Sequence, residues 1–585
     1  MTLRHSRLTP GKFVATGVVG LALIAAACGS SSKNTGTGTT TPTTGGSETS
    51  AVTAGTTIPV PVNTTSAPIE DKPVLGGKLV VGVEAEVANA WVPANMNCDV
   101  ACQTRSRTIF EPLASVSADF KVLPYLAESI EPNADFTVWT IKARPGVTFH
   151  DGTPFNAEAM VYNMKDMQTS PLVGPAIIDV TKVEKVDDMT MAITTARPWP
   201  GFPIYLASQI GFQGSPTWLQ AVKDKTGDPT HAVGTGAFVF DSYTPGQSLI
   251  VKKNPTYWRK DKFGNQLPYL DSVEMRVIED EKTRANALKA GDIDILHTTN
   301  GESIVDFRKE PDKFPMIEQA QFGETSYFLL NVGQEGSPLG DQRVRCAMNY
   351  AIDKQAQIDA VQAGLNTPAD GLFSPGQEGY LADTGTPQYD PAKAKELVDA
   401  YTAEKGAAPS IQLGATNDQA TLTAVQLAQQ NLNDVGFKTE IVQIEQSAYI
   451  TQALLGNFQF FAWRNHGGTF VDQQYIWWHS KNAGAEKTAI ALNFGRVKDP
   501  VIDDLLDKAR VESDLAKRKA DAENINREFA KQCWAIPVYW TIWGIPHKAS
   551  VVGIDQLTFP DNTTLIGLGN GFPGQFPMTT IWFKK

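Results

Sequence analysis

Phe460-Phe461-Ala462-Trp463-Arg464-Asn465-His466-Gly467-Gly468 is the stretch on which the fold reading turns. It begins as a buried strand, with Phe458 just ahead of it, and soon gives way to a cation, an amide, an imidazole and two glycines. An apolar strand running into a Gly-rich polar loop is how α/β sheets present ligand-contacting groups at strand ends. Trp463 supplies a flat apolar wall, and Arg464 a rigid fork of donors that matches a carboxylate. The same residues also suit a tight turn with a solvated arginine and a core tryptophan. Of the aromatics nearby, Trp463, Phe470 and Tyr475 suit stacking on rings, whereas Trp477 and Trp478 read first as packing at a lobe edge.

Outward from there, strand and helix signals alternate. Gly76-Gly77 feeds a β-branched strand from Lys78 to Val83, bounded by turn residues as strands are. It ends in Glu84-Ala85-Glu86, with Asn89 and Trp91 beyond. Glu86 and Trp91 are candidate ligand contacts at this second strand end, with solvated turn residues as the plainer reading. The alternating run Phe136-Thr137-Val138-Trp139-Thr140-Ile141 predicts another strand. Pro145-Gly146 and Asp151-Gly152 then bracket a short one, and Asn156 caps a helix to about Gln168. His150 reads as a turn residue rather than a ligand.

The chain has 585 residues, more than a single core sustains, so two or three lobes are expected. With 42% hydrophobic and 19% charged residues it has the composition of a folded soluble protein. A net charge of −12 argues against nucleic acid, which requires a basic footprint. Neither Gly-x-Ser-x-Gly, His-Glu-x-x-His nor a phosphate-binding Gly-x4-Gly-Lys occurs, so no enzyme and no cofactor is expected. One literal Gly-x-Gly-x-x-Gly, Gly569 to Gly574, carries Pro573 where a phosphate-binding helix would open, and reads as a loop.

The N-terminus is an address. Arg4, Arg7 and Lys12 precede an uncharged, mostly apolar run from Phe13 to Ala27, which falls short of the roughly 20 residues that span a bilayer. Leu23-Ile24-Ala25-Ala26-Ala27-Cys28 resembles the lipobox of bacterial lipoproteins, in which the cysteine is lipidated and becomes the first mature residue. Ala25 stands where leucine is usual, which leaves a plain Ala-x-Ala cut open. Residues 1–27 thus read as a signal peptide. Residues 28–70 read as a lipidated Cys28 and a tether whose Gly, Ser and Thr bury too little apolar surface to order. Cys98 and Cys102 are expected to form a disulfide across a very short loop rather than a metal half-site. Cys346 and Cys533 are left open.

Several segments in collinear order resemble the extracytoplasmic solute-binding proteins of ABC importers, in the oligopeptide, dipeptide and nickel-binding family (family 5). Arg144-Pro145-Gly146-Val147-Thr148-Phe149-His150-Asp151-Gly152 carries the most specific match. Val233-Gly234-Thr235-Gly236, Asn254-Pro255-Thr256-Tyr257-Trp258, Ala290-Gly291-Asp292-Ile293-Asp294, Tyr350-Ala351-Ile352-Asp353-Lys354 and Ile536-Pro537-Val538-Tyr539 continue it. The resemblance implies a two-lobed α/β fold of the type II periplasmic-binding-protein kind with an inserted subdomain. On that basis residues 76–115, 228–300 and 540–585 are assigned to lobe I, 116–227 to the insertion and 301–539 to lobe II. It also implies a peptide or other small solute held between lobes, delivery to an ABC permease and ATPase, and a monomer held at the cell membrane by its lipid. In oligopeptide binders a strand-end motif places an Asp against the peptide's α-amino group. Trp463, Arg464, Asn465 and His466 match that motif, with His466 in the position of the Asp, and an imidazole offers no full negative charge to an ammonium. A solute with anionic or acceptor character, a nickel or metallophore ligand, a sugar-like ligand and a same-fold lipoprotein that regulates envelope assembly all stay open. If Cys28 is the anchor, Cys28→Ser releases the protein from the membrane or leaves its signal uncleaved; normal processing with full membrane retention contradicts the lipobox reading.

Overall fold

The computed structural model describes residues 72–86, 91–96, 98–117, 120–465, 468–484, 490–563 and 573–585, with Thr64 and Leu565. Cys28, the tether apart from Thr64, His466, Gly467 and the stretch from Gly569 to Phe572 lie outside the described residues. Ile58–Lys585 form one compact unit. No helix among the described residues is long and apolar enough to cross a membrane.

Three sheets organise that unit. In the first, Ile295–Leu296, Lys78–Val83 and Ser272–Val277 run parallel, and Ser248–Lys253 and Phe238–Thr244 follow antiparallel. Leu79 and Val81 point into its core. The second is an antiparallel sheet of Ala127–Pro132, Val138–Ala143, Thr190–Thr195 and Val180–Lys185. The helix Ala157–Gln168 packs beside it, capped by Asn156 as expected. The third runs in the order Lys438–Ile444, Ser410–Thr416, Phe460–Asn465, Thr325–Leu330, Ala535–Trp540. Ser410–Thr416 and Lys438–Ile444 are parallel. A parallel pair needs a crossover, here the helix Gln419–Asp434 with Asp418 accepting from the Thr421 N–H.

The chain passes between the first and third sheets twice, and the two passages pair with each other. Met316–Gln319 lies antiparallel to Trp543–Pro546. Gly544 is needed there: a Cβ would meet Met316 Sδ at 2.9 Å and Ile304 Cγ1 at 3.0 Å.

The apolar core does not stop at the expected edge of the insertion. Trp139, Trp199 and Tyr205 share one continuous cluster with Tyr475, Trp478 and Phe529. Arg510 locks that junction. Its buried guanidinium meets Asp472 at 2.7 Å and Asp179 at 3.1 Å, and stacks on Tyr475 at 3.5 Å. Removing one partner of such a buried pair typically costs about 3–5 kcal/mol, because the other charge is left uncompensated. Arg197 adds a half-exposed bridge between Asp179 and Asp507.

Cys98 is joined to Cys102, and Cys346 to Cys533. The second bridge links positions 187 apart, and the chain-entropy model assigns a loop of that size about 5 kcal/mol. His150 is half-buried, with Nε2 donating to the Gly236 carbonyl at 3.0 Å. Burial depresses its pKa to about 4, so it is a neutral turn residue at physiological pH.

Candidate interlobe binding site

The strand Phe460–Asn465 lies between Thr325–Leu330 and Ser410–Thr416. Phe460 and Phe461 are buried, the strand surfaces at Arg464, and Asn465 is buried again. Trp463 stacks on Tyr449, with ring centres 5.8 Å apart, and meets Phe494 edge-on at 5.3 Å. With Arg464, Tyr327 and Trp477 it lines a pocket. Trp478 is buried against Phe529.

Arg464 is not a free turn residue. One arm donates to Glu324 Oε2 at 3.1 Å, and the guanidinium sits 5.5 Å from the Trp543 ring. Trp543 Nε1 donates to the same carboxylate oxygen at 3.2 Å. The Glu324 charge, against the effect of burial, raises the Arg464 pKa. Glu324 is 6% exposed and Arg464 46%, so the pair has one sunk and one reachable member. Asn465 braces the loop instead of reaching out. Its Nδ2 donates to the Leu372 carbonyl at 3.2 Å, and its Oδ1 accepts from Trp478 Nε1 at 3.3 Å.

A second group of charges faces Arg464 from the first sheet. Glu84 follows the strand Lys78–Val83, and His297 follows Ile295–Leu296. His297 donates from Nδ1 to the Gly574 carbonyl at 3.0 Å and pairs through Nε2 with Glu84. Burial opposes the charge on both. Their mutual attraction outweighs it, holding Glu84 down near pKa 2 and raising His297. Asp99 caps the helix Val100–Ile109, accepting from the Cys102 N–H at 2.8 Å. Burial and then the Glu84 charge push its pKa up to about 6. Both Glu84 and Asp99 act electrostatically on Arg464. Asp99 and Arg464 are open to water and yet crowded by protein atoms. Groups of that kind line a cleft rather than an outer face.

Glu86 and Trp91 are placed differently. Glu86 pairs with Arg105 at 2.5 Å and accepts from the Gly246 N–H at 3.3 Å. Trp91 is 4% exposed, beneath the Arg105 guanidinium at 4.8 Å and edge-on to Tyr243 at 5.1 Å. The two form a packed cluster with Arg105 and Tyr243. Sequence reasoning marked Glu84 only as part of an acidic strand end, and it did not single out Asp99, His297, Glu324 or Trp543 as site residues. Glu84 and His297 each directly follow a strand, and that position was the available signal. Among the described residues no group of three or more His, Cys, Asp or Glu is arranged to hold a metal.

Three sheets joined by a doubled crossing, with charges meeting at two sheet ends, define a two-lobed α/β binding protein of the type II periplasmic kind. The profile of the bacterial extracellular solute-binding proteins, family 5, matches residues 121–487, and the chain belongs to that family. It is similar to the glutathione-binding protein GsiB of Pectobacterium atrosepticum, 31% identical over 351 residues. That alignment covers 59% of this chain and 66% of the relative, just under two thirds of its length. GsiB of Salmonella typhi is 31% identical over 382 residues, 64% of this chain and 71% of that protein. Among solved structures, DppA from Helicobacter pylori in complex with the peptide STSA superposes with a TM-score of 0.74 at 23% identity. It covers 88% of this chain and 99% of that one. AgaA in complex with agropinic acid, from A. tumefaciens R10, gives 0.73 at 24%, over 87% and 99%. At these identities the superpositions establish the fold.

A ligand ammonium that meets Asp99 binds more weakly as pH falls through about 6, because protonation removes the charge it needs. Below that pKa the loss approaches about tenfold per pH unit. Titrating the parent and Asp99→Asn with an amine-bearing solute from pH 7.5 to 5 should show this slope in the parent alone. A flat parent profile, or the same slope in both, contradicts the assignment.

Proposed function

We propose that this chain is the solute-binding component of an ABC importer, and that it captures a peptide-like zwitterion between two lobes. The observation that carries the reading is Arg464: a guanidinium with one arm committed to Glu324, still open to water, facing Glu84 and Asp99. A carboxylate suits the arginine and an ammonium suits the acids. This arrangement supplies the anionic subsite that His466 cannot. The finding that relatives carry the name glutathione-binding supports this chemistry, since glutathione bears one ammonium and two carboxylates.

Lobe I comprises 76–115, 228–300 and 540–585, the inserted subdomain 116–227, and lobe II 301–539. The paired passages Met316–Gln319 and Trp543–Pro546 are the natural hinge, and closure around solute is what a permease with its ATPase would read. Trp463, Arg464 and Asp99 contact solute, while Glu86 and Trp91 support the first-sheet wall. The chain works as a monomer without catalysis or cofactor, and lipidated Cys28 holds it outside the cell at the membrane.

Native mass spectrometry of the purified protein identifies the solute, with glutathione as the first probe. Arg464→Ala should then cost about 2–5 kcal/mol of binding, roughly a thirty- to several-thousandfold loss. Arg464→Lys should recover only part, since it keeps the charge and loses the fork. Glu324 is left under-paired in the alanine variant, so its folding is checked by melting before calorimetry. Alanine-variant affinity within about twofold of the parent would contradict the reading.

A further inference from the structure

A second cavity shares no lining residue with the pocket beside Arg464. Its wall includes Thr104, Arg107 and Thr108 from the helix Val100–Ile109. Spaced i, i+3 and i+4, these three lie on one helix face. Ser115, from the short strand Ala114–Val116, joins them.

Three polar groups in this wall lack a partner. Thr104 and Ser115 are each 1% exposed, and neither hydroxyl oxygen makes a hydrogen bond. Arg107 Nε is buried and equally unbonded. The rest of that guanidinium gives Nη2 to the Ala207 carbonyl at 3.1 Å and lies 5.4 Å from the Phe212 ring. No carboxylate pairs with it among the described residues, and burial lowers its pKa to about 10. Glu111 shares the wall but is committed elsewhere. It accepts from Tyr257 Oη at 2.6 Å, Thr235 Oγ1 at 2.9 Å and Trp258 Nε1 at 2.9 Å.

Buried polar groups are nearly always bonded, and a desolvated cation without an anion is costly. Three such groups around one cavity suit an occupant with acceptor oxygens. We propose that this cavity is a second ligand site that takes a small carboxylate. Arg107 supplies charge and a free Nε–H, and the Thr104 and Ser115 hydroxyls donate beside it. The flanking Phe110, Phe238 and Phe576 limit the occupant to a short apolar tail. This site stands apart from the interlobe cleft and does not rest on the solute assigned there.

The test is calorimetric titration of the purified full chain with sodium acetate, against sodium chloride at equal ionic strength. The parent should bind acetate saturably. Arg107→Met should raise Kd by at least about tenfold, the usual worth of a hydrogen bond to a charged group. Thr104→Val, nearly isosteric, should raise it about two- to tenfold. If Arg107→Met does not fold, Thr104→Val decides. In Arg464→Ala, which removes the cleft arginine, a saturable acetate site should remain. Absence of saturable binding in the parent, or parent-like binding in Thr104→Val, makes this a water pocket and overturns the proposal. Loss of acetate binding in Arg464→Ala places acetate in the cleft and overturns it equally.

Discussion

The pairing of Met316–Gln319 with Trp543–Pro546 is the constraint on which the rest of the structure depends. Everything that leaves the first sheet for the third, and returns, passes through these two short strands. They sit close because Gly544 has no side chain to collide with Met316 and Ile304. Mutual bonds between the Gly544 and Thr298 backbones at 2.8 and 2.9 Å tie the crossing to the end of the first sheet. Trp543, on the crossing itself, donates to Glu324 and lies against Arg464. The element around which the lobes would turn therefore also positions the cationic side of the cleft.

Charge in this cleft is arranged so that few groups stand alone. Glu84 and His297 satisfy each other, and Glu324 is held by Arg464 and Trp543. Two buried opposite charges resist neutralisation when each supplies the other's field, and this explains why burial fails to discharge Glu84. Asp99 is the exception. It has a backbone N–H for a partner, a neighbouring carboxylate pushing against it and water in front of it. A group poised near pKa 6 in a cleft is a functional candidate on physical grounds.

Much of the fold was legible in the sequence. Strands with strong alternation or β-branching, such as Lys78–Val83 and Val138–Ala143, and the helix capped by Asn156, follow from local chemistry that packing did not override. The strand end at Trp463 and Arg464 was legible for the same reason. What could not be read were relations between distant segments. Asn465 looks like a ligand group until Trp478 and Leu372 are seen to consume its amide. Glu84 and Glu86 look equivalent until one is claimed by His297 and the other by Arg105. The Arg510 junction joins Asp179 to Asp472, and no local pattern announces a pairing across nearly 300 positions. The bond between Cys346 and Cys533 is of the same kind.

The central claim is that solute draws the two lobes together about the paired crossing. Small-angle X-ray scattering on the protein stripped of solute and then saturated with its co-purified ligand tests this most directly. The account predicts a smaller radius of gyration in the loaded protein, and no such change in Arg464→Ala at the same ligand concentration. An identical scattering profile with and without saturating ligand would contradict it.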